Sequence, residues 1–154
     1  MPERASTAPK TSTRLQVLKL LIPIIDRHGA REAARHGAFL FAERCVSEVE
    51  IVEVLDDPAY DRSVAFHSIG ALRRREKQAM QDALLQTRAI LDDAGVPYTW
   101  TRVFGPPERV IASSVERGRA DIVVLDASGL GFLRKWSVLA RLRRLMHTPV
   151  TLVQ

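Results

Sequence analysis

Two aspartates and one short loop hold most of the chemistry this sequence offers. Asp26 closes the apolar run Leu15 to Ile25, and Asp126 closes a second run, Ile122 to Leu125. From Ala127 to Trp136 the chain carries Gly129, Gly131, Arg134 and Lys135 without hydrophobic period, so this stretch is expected to be a loop. Ser137 follows, and Val138, Leu139, Leu142, Leu145 and Met146 then fall on one helical face. Serine is a favoured N-cap, because its hydroxyl accepts from free amides of the first turn, so Ser137 is expected to open the last helix. A strand, a glycine-bearing loop and a helix N-terminus make an anion-binding arrangement, in which exposed amides and the positive end of the helix dipole converge. Arg134 and Lys135 would add charge to it. No other catalytic constellation is legible. His28, His36, His67 and His147 lie in separate segments. No pair has metal-ligand spacing with a cysteine or carboxylate, so no metal site is expected. Ser113 and Ser114 fall on a helix with no base assigned to them.

The elements that must position these residues alternate along the chain. Met1 to Thr13 is polar and without period, and is expected to be a disordered tail before a domain spanning 14–154. Leu15 to Ile25 is strongly apolar, with strand character in its second half, and Asp26 to Gly29 makes a turn in which Asp26 could cap the next helix. Ala30 to Cys45 has helical spacing, which places Cys45 on an apolar face as a buried thiol. Ile51 to Leu55 reads as a strand and Asp56 to His67 as a polar connection. Ser68 to Ala94 reads as the longest helix, ended by Gly95 and Pro97. Tyr98 to Phe104 is aromatic and β-branched and reads as a strand with Trp100 packed. Pro107 suits the first turn of a helix reaching Gly118, after which Ile122 to Leu125 and Val150 to Val153 form the last two strands. Strands alternating with helices imply an α/β fold, a mostly parallel sheet doubly wound with helices on both faces. In such a sheet, ligands sit beyond the carboxyl ends of the strands, where the strand order reverses.

Composition narrows the classes further. The chain has 154 residues, 46% hydrophobic and 27% charged, enough for one domain with a real core. No apolar run approaches the length of a bilayer span, and no membrane partner is expected. The single cysteine excludes an internal disulfide and suits a reducing, cytoplasmic setting. The net charge is +5. Two basic clusters, Arg73 to Lys77 and Arg134 to Arg144, interleave with apolar helical positions. They read as solvated helix faces, which disfavours nucleic acid as a partner and leaves polyanion binding as a minor alternative.

Four features in order resemble the universal stress protein family: an apolar strand ending in Asp26, the segment VFGPPERVI at 103–111, RADIVVLD at 119–126, and the closing helix with HTPVTLV. The resemblance covers nearly all the chain from about Leu18. It implies a Rossmann-like, five-stranded parallel sheet of order 3-2-1-4-5, and usually a dimer. It also implies that Asp26 and Asp126 flank one crevice, on neighbouring strands one and four. One branch of the family binds ATP. In that branch an aspartate at the position of Asp26 and backbone of the second strand, around Val54, lie near the adenine. A phosphate loop of the form Gly-x-x-Gly-x9-Gly-Ser/Thr completes the site. Here the first glycine falls on Asp126, the second on Gly129, and the final pair on Trp136 and Ser137, with six residues in place of nine. Asp126 would repel phosphate, and Trp136 is too large for close backbone approach.

The expectation is therefore a stress-response binding or regulatory module, not an enzyme, without tight ATP binding and with no resident cofactor. It would dimerise through its C-terminal edge strand and serve an unknown protein partner. The alternative is an adenine-nucleotide binder, with or without magnesium bridging the two aspartates to a phosphate. It would use a remodelled site of Asp26, Val54, Gly129, Gly131, Arg134, Lys135 and Ser137.

Overall fold

The structure, a computed structural model, describes residues 17–55 and 69–154. The expected tail at 1–13 and the connection Asp56 to His67 lie outside the described residues. The elements are β1 (Leu18–Ile24), α1 (Arg31–Ala42), β2 (Val46–Leu55), α2 (Ile69–Asp93), β3 (Tyr98–Phe104), α3 (Pro107–Gly118), β4 (Ile122–Asp126), α4 (Phe132–Leu145) and β5 (Val150–Val153). Among the described residues the four strand pairings are parallel, and the sheet order is β3-β2-β1-β4-β5. This is the order that the resemblance implied. β1 is central and buried on both faces, which is why its sequence LKLLIPI lacks a polar alternation.

The two faces have separate cores. Leu20, Ile22 and Ile24 of β1 join Val49 and Ile51 of β2 beneath α1 and α2. Leu21, Val52, Val54 and Val123 pack on the other face against Val110, Ile111 and Val115 of α3 and Leu142 and Met146 of α4. In α2 the buried residues Met80, Ala83, Leu84, Thr87 and Leu91 recur at helical spacing. Thr87 is buried without a polar orphan. Its hydroxyl donates to the Ala83 carbonyl at 2.8 Å and accepts the Ala30 amide at 3.3 Å, tying the entry of α1 to α2.

Four local expectations need correction. β2 starts at Val46, five residues before the apolar run that announced it. Glu48 and Glu50 interrupt the pattern, but the strand is held by pairing with β1, and Lys19 Nζ lies 3.4 Å from a carboxylate oxygen of each. Helix α1 ends at Ala42, so Cys45 sits in the turn beyond it and is exposed, not buried on a helical face. Trp100 is not packed away. β3 is an edge strand, and the indole is 40% exposed, with Arg88 and Arg102 over its ring at 5.9 and 5.5 Å. The fourth correction, at the start of α4, changes the candidate site.

Candidate functional site

The carboxyl ends of β1 and β4 lie side by side, because the two strands pair directly. The turn after β1 and the loop after β4 therefore meet above the sheet at its switch point. Asp26 is held locally. Its Oδ1 accepts the His28 amide at 2.8 Å, the geometry of an Asx turn, and His28 Nδ1 is 3.3 Å from the same oxygen. Asp26 does not cap α1. That helix has Ala30 at its N-cap position, and Ala30 supplies no side-chain acceptor.

The cap comes from Asp126. Its Oδ2 accepts the Glu32 amide in the first turn of α1 at 2.8 Å, across 94 residues of sequence. Its Oδ1 accepts the Ser128 amide at 3.0 Å, and the Ser128 hydroxyl donates to it as well. The carboxylate is 6% exposed. A buried anion here is stabilised by charge-assisted bonds and by the positive end of the α1 dipole. Asp26 and Asp126, expected to flank one crevice, are each bonded to backbone N–H groups. Among the described residues no group of three or more His, Cys, Asp or Glu side chains could hold a metal ion.

The loop after β4 spends most of its donors inside the protein. The Ala127 amide donates to the Val153 carbonyl at 2.8 Å, Ser128 to Asp126, and Leu130 to the Ala127 carbonyl at 3.1 Å. Gly129 lies against His28. A Cβ at position 129 would stand 2.5 Å from the imidazole Cγ and Nδ1, so only glycine permits this approach without moving the ring. Imidazole and loop thus meet where the two strand ends open. Nothing in the spacing of the sequence showed that this ring lies on Gly129.

Helix α4 begins at Phe132, with Gly131 as its N-cap residue in an extended conformation. Ser137 is therefore not an N-cap. It lies in the second turn, exposed, where its hydroxyl cannot reach the first-turn amides. Arg134 and Lys135 are helical residues as well, and Lys135 Nζ donates to Gln154 Oε1 at 2.6 Å. The reason is local. Where the resembled pattern has a glycine to interrupt the backbone, this chain has Trp136, and with six residues in place of nine the helix runs straight through. Val54 is buried in the core on the α3 and α4 face of β2. Of the seven candidate residues, Asp26 and Gly129 are brought together through His28. Gly131 is at the mouth of α4, while Arg134, Lys135 and Ser137 lie along the helix.

A further cluster escaped the sequence reading. Glu53 of β2 is 1% exposed, and its Oε2 accepts Arg102 Nε of β3 at 2.9 Å. The two residues are register partners. Arg88 Nε of α2 in turn donates to the Tyr98 hydroxyl at 3.1 Å. The available signal was a glutamate inside the apolar run IVEVL, which requires a cation on a neighbouring strand.

The universal stress protein family model matches residues 18–154, almost the whole chain. The chain belongs to the universal stress protein family. A curated relative, universal stress protein MJ0531 of Methanocaldococcus jannaschii, is 27% identical over 139 residues, covering 88% of this chain and 81% of the relative. Among solved structures, hypothetical protein MJ0577 superposes with a TM-score of 0.67 at 20% identity, covering 88% of this chain and 94% of that one. A universal stress protein family protein from Arabidopsis thaliana, solved with AMP bound, superposes with a TM-score of 0.58 at 18% identity, covering 88% of this chain and 90% of that one. The structural likenesses establish the shared fold. Within this family-typical sheet, the chain places a buried aspartate, Asp126, at the carboxyl end of β4. No helix among the described residues is long and apolar enough to cross a membrane.

Proposed function

We propose that this universal stress protein is a non-enzymatic, cytoplasmic stress-response module that acts by binding other macromolecules and does not bind ATP tightly. One observation carries the reading. The carboxylate of Asp126 already occupies the α1 N-terminus and ties down the loop after β4, with 2.8 and 3.0 Å bonds to the amides of Glu32 and Ser128. A triphosphate entering this crevice would meet a buried negative charge, a loop whose donors are mostly spent, and the His28 ring against Gly129. Calorimetric titration with ATP, ADP and AMP, each with and without magnesium, tests this. No saturable heat is expected at micromolar nucleotide. A micromolar dissociation constant for any of the three would overturn the reading.

The second reading is a nucleotide site with a remodelled loop. It is favoured by Gly131, which leaves the α4 N-terminus without a side-chain cap, and by the AMP bound in the Arabidopsis relative. The same titration decides between the two, because a binder with a shortened loop would prefer AMP to ATP.

The module is proposed to work as a homodimer through β5. This strand is an edge, with Thr151 and Leu152 exposed, and a groove of about 580 Å³ lined by Leu139, Met146, Pro149 and Val150 runs beside it. An exposed apolar edge pairs readily with a second strand. Leu152→Lys is expected to shift the sedimentation coefficient from dimer to monomer at micromolar protein. A wild-type chain that already sediments as a monomer would remove the proposal.

A further inference from the structure

Because α4 begins at Phe132, Leu133 and Trp136 belong to the helix and are not loop residues. At helical spacing they share the outward side with Arg143 and Arg144, opposite the inward residues Val138, Leu142 and Met146. Leu133 is 83% exposed, the most of any large apolar side chain among the described residues, and Trp136, one turn along, is 59% exposed. The helix also holds five cations and no carboxylate, and five is the net positive charge of the entire chain. The rest of the molecule is therefore balanced, and the excess is concentrated on one helix. Arg134, Arg143 and Arg144 are exposed and make no ion pair among the described residues, whereas Arg141 is engaged by Glu108 at 3.1 Å.

We propose that the outward face of α4 docks on an anionic lipid bilayer surface, with Leu133 and Trp136 entering the interfacial layer and Arg143 and Arg144 binding lipid phosphates. Charge complementarity selects an anionic partner, and the two apolar groups select among anionic partners. A second copy of this chain would set five cations against five. A nucleic-acid backbone would satisfy the arginines but leave Leu133 against phosphate or water. A bilayer takes both parts: guanidinium groups at the headgroups, and leucine and indole at the acyl boundary. This departs from the sequence expectation of no membrane partner. That expectation rested on the lack of a spanning segment.

The experiment uses the full chain carrying Trp100→Phe, so that Trp136 is the sole tryptophan. It is titrated with vesicles of phosphatidylcholine containing roughly one-third phosphatidylglycerol, and with pure phosphatidylcholine vesicles. Cosedimentation of the wild-type chain runs beside it as a control for the substitution. Binding to the anionic vesicles alone is expected, with a blue shift of Trp136 emission and quenching by brominated acyl chains. The double variant Arg143→Gln, Arg144→Gln should weaken binding by about tenfold, and raising salt to about 0.5 M should do the same. Leu133→Ser with Trp136→Ser should weaken binding comparably while leaving the charge unchanged. Absence of binding to anionic vesicles at low salt overturns the proposal. Unchanged affinity in the arginine double variant does so too. Tighter binding to duplex DNA than to vesicles, with no shift in Trp136 emission, would assign the helix to nucleic acid instead.

Discussion

Asp126→Ala is expected to destabilise the fold by about 2 kcal/mol, measured as a lower midpoint in urea unfolding with an unchanged slope. The substitution removes the side-chain acceptor of the Glu32 amide at 2.8 Å and of the Ser128 amide at 3.0 Å in one step. Both donors are then left without their partner at a site where the lost carboxylate was nearly buried. The negative charge at the α1 N-terminus disappears as well. Asp126→Asn separates the two contributions. Its one amide oxygen can serve either Glu32 or Ser128 but carries no charge, so about half the loss is expected. The glycine of the nucleotide-binding pattern, introduced as Asp126→Gly, should be at least as damaging as alanine. It should not create ATP binding by itself, because Trp136 and the short loop remain. Full wild-type stability of Asp126→Ala would show that the carboxylate is dispensable to the fold, and the case for a self-occupied crevice would fail with it.

Arg102→Ala should cost about 2–3 kcal/mol, which for a domain of this size lowers the melting midpoint by about 5–10 °C. Glu53 is 1% exposed, and Arg102 Nε is its bonded cation at 2.9 Å. Removing the arginine strands a carboxylate inside the sheet and loses the cation over Trp100 at 5.5 Å. The cost stays below that of a fully enclosed pair because Arg102 itself reaches solvent. The control is the double replacement Glu53→Leu with Arg102→Leu. It should come within about 1 kcal/mol of wild type, since the penalty lies in the unpaired charge and not in the loss of attraction. A double variant as unstable as Arg102→Ala would locate the cost in packing against β3.

The cores explain why so much of the topology could be anticipated. Three of the helices carry a strong local signal at one end: Gly95 and Pro97 after α2, Gly105 to Pro107 before α3, and Pro149 after α4. The apolar periods between them survive into the burial pattern, as in Met80, Ala83, Leu84, Thr87 and Leu91. Periodicity and punctuation are properties of neighbouring residues, so the sequence displays them without knowledge of the fold. The strand order was a different matter. It came from resemblance to the family, not from spacing.

The sequence by itself determined the alternation of strands and helices and the presence of a glycine-bearing loop after the fourth strand; the departures of that loop from a nucleotide-binding pattern, at Asp126 and Trp136, are what the family resemblance implies. The tertiary structure alone decided what those departures do. Asp126 read as a carboxylate capping its own loop and flanking one crevice with Asp26, and it does cap that loop through the Ser128 amide. It is also the cap of α1, because parallel pairing of β1 with β4 brings its carboxylate to a helix that begins nearly a hundred residues earlier. Ser137 looked like a helix start, and Leu133 and Trp136 looked like loop. The helix instead begins at Phe132, since no glycine near Trp136 interrupts it. Glu53 and Arg102 were unremarkable until register set them side by side between β2 and β3. For Asp126 and for Glu53 with Arg102 the deciding partner is distant in sequence, and local pattern does not say which residue it is.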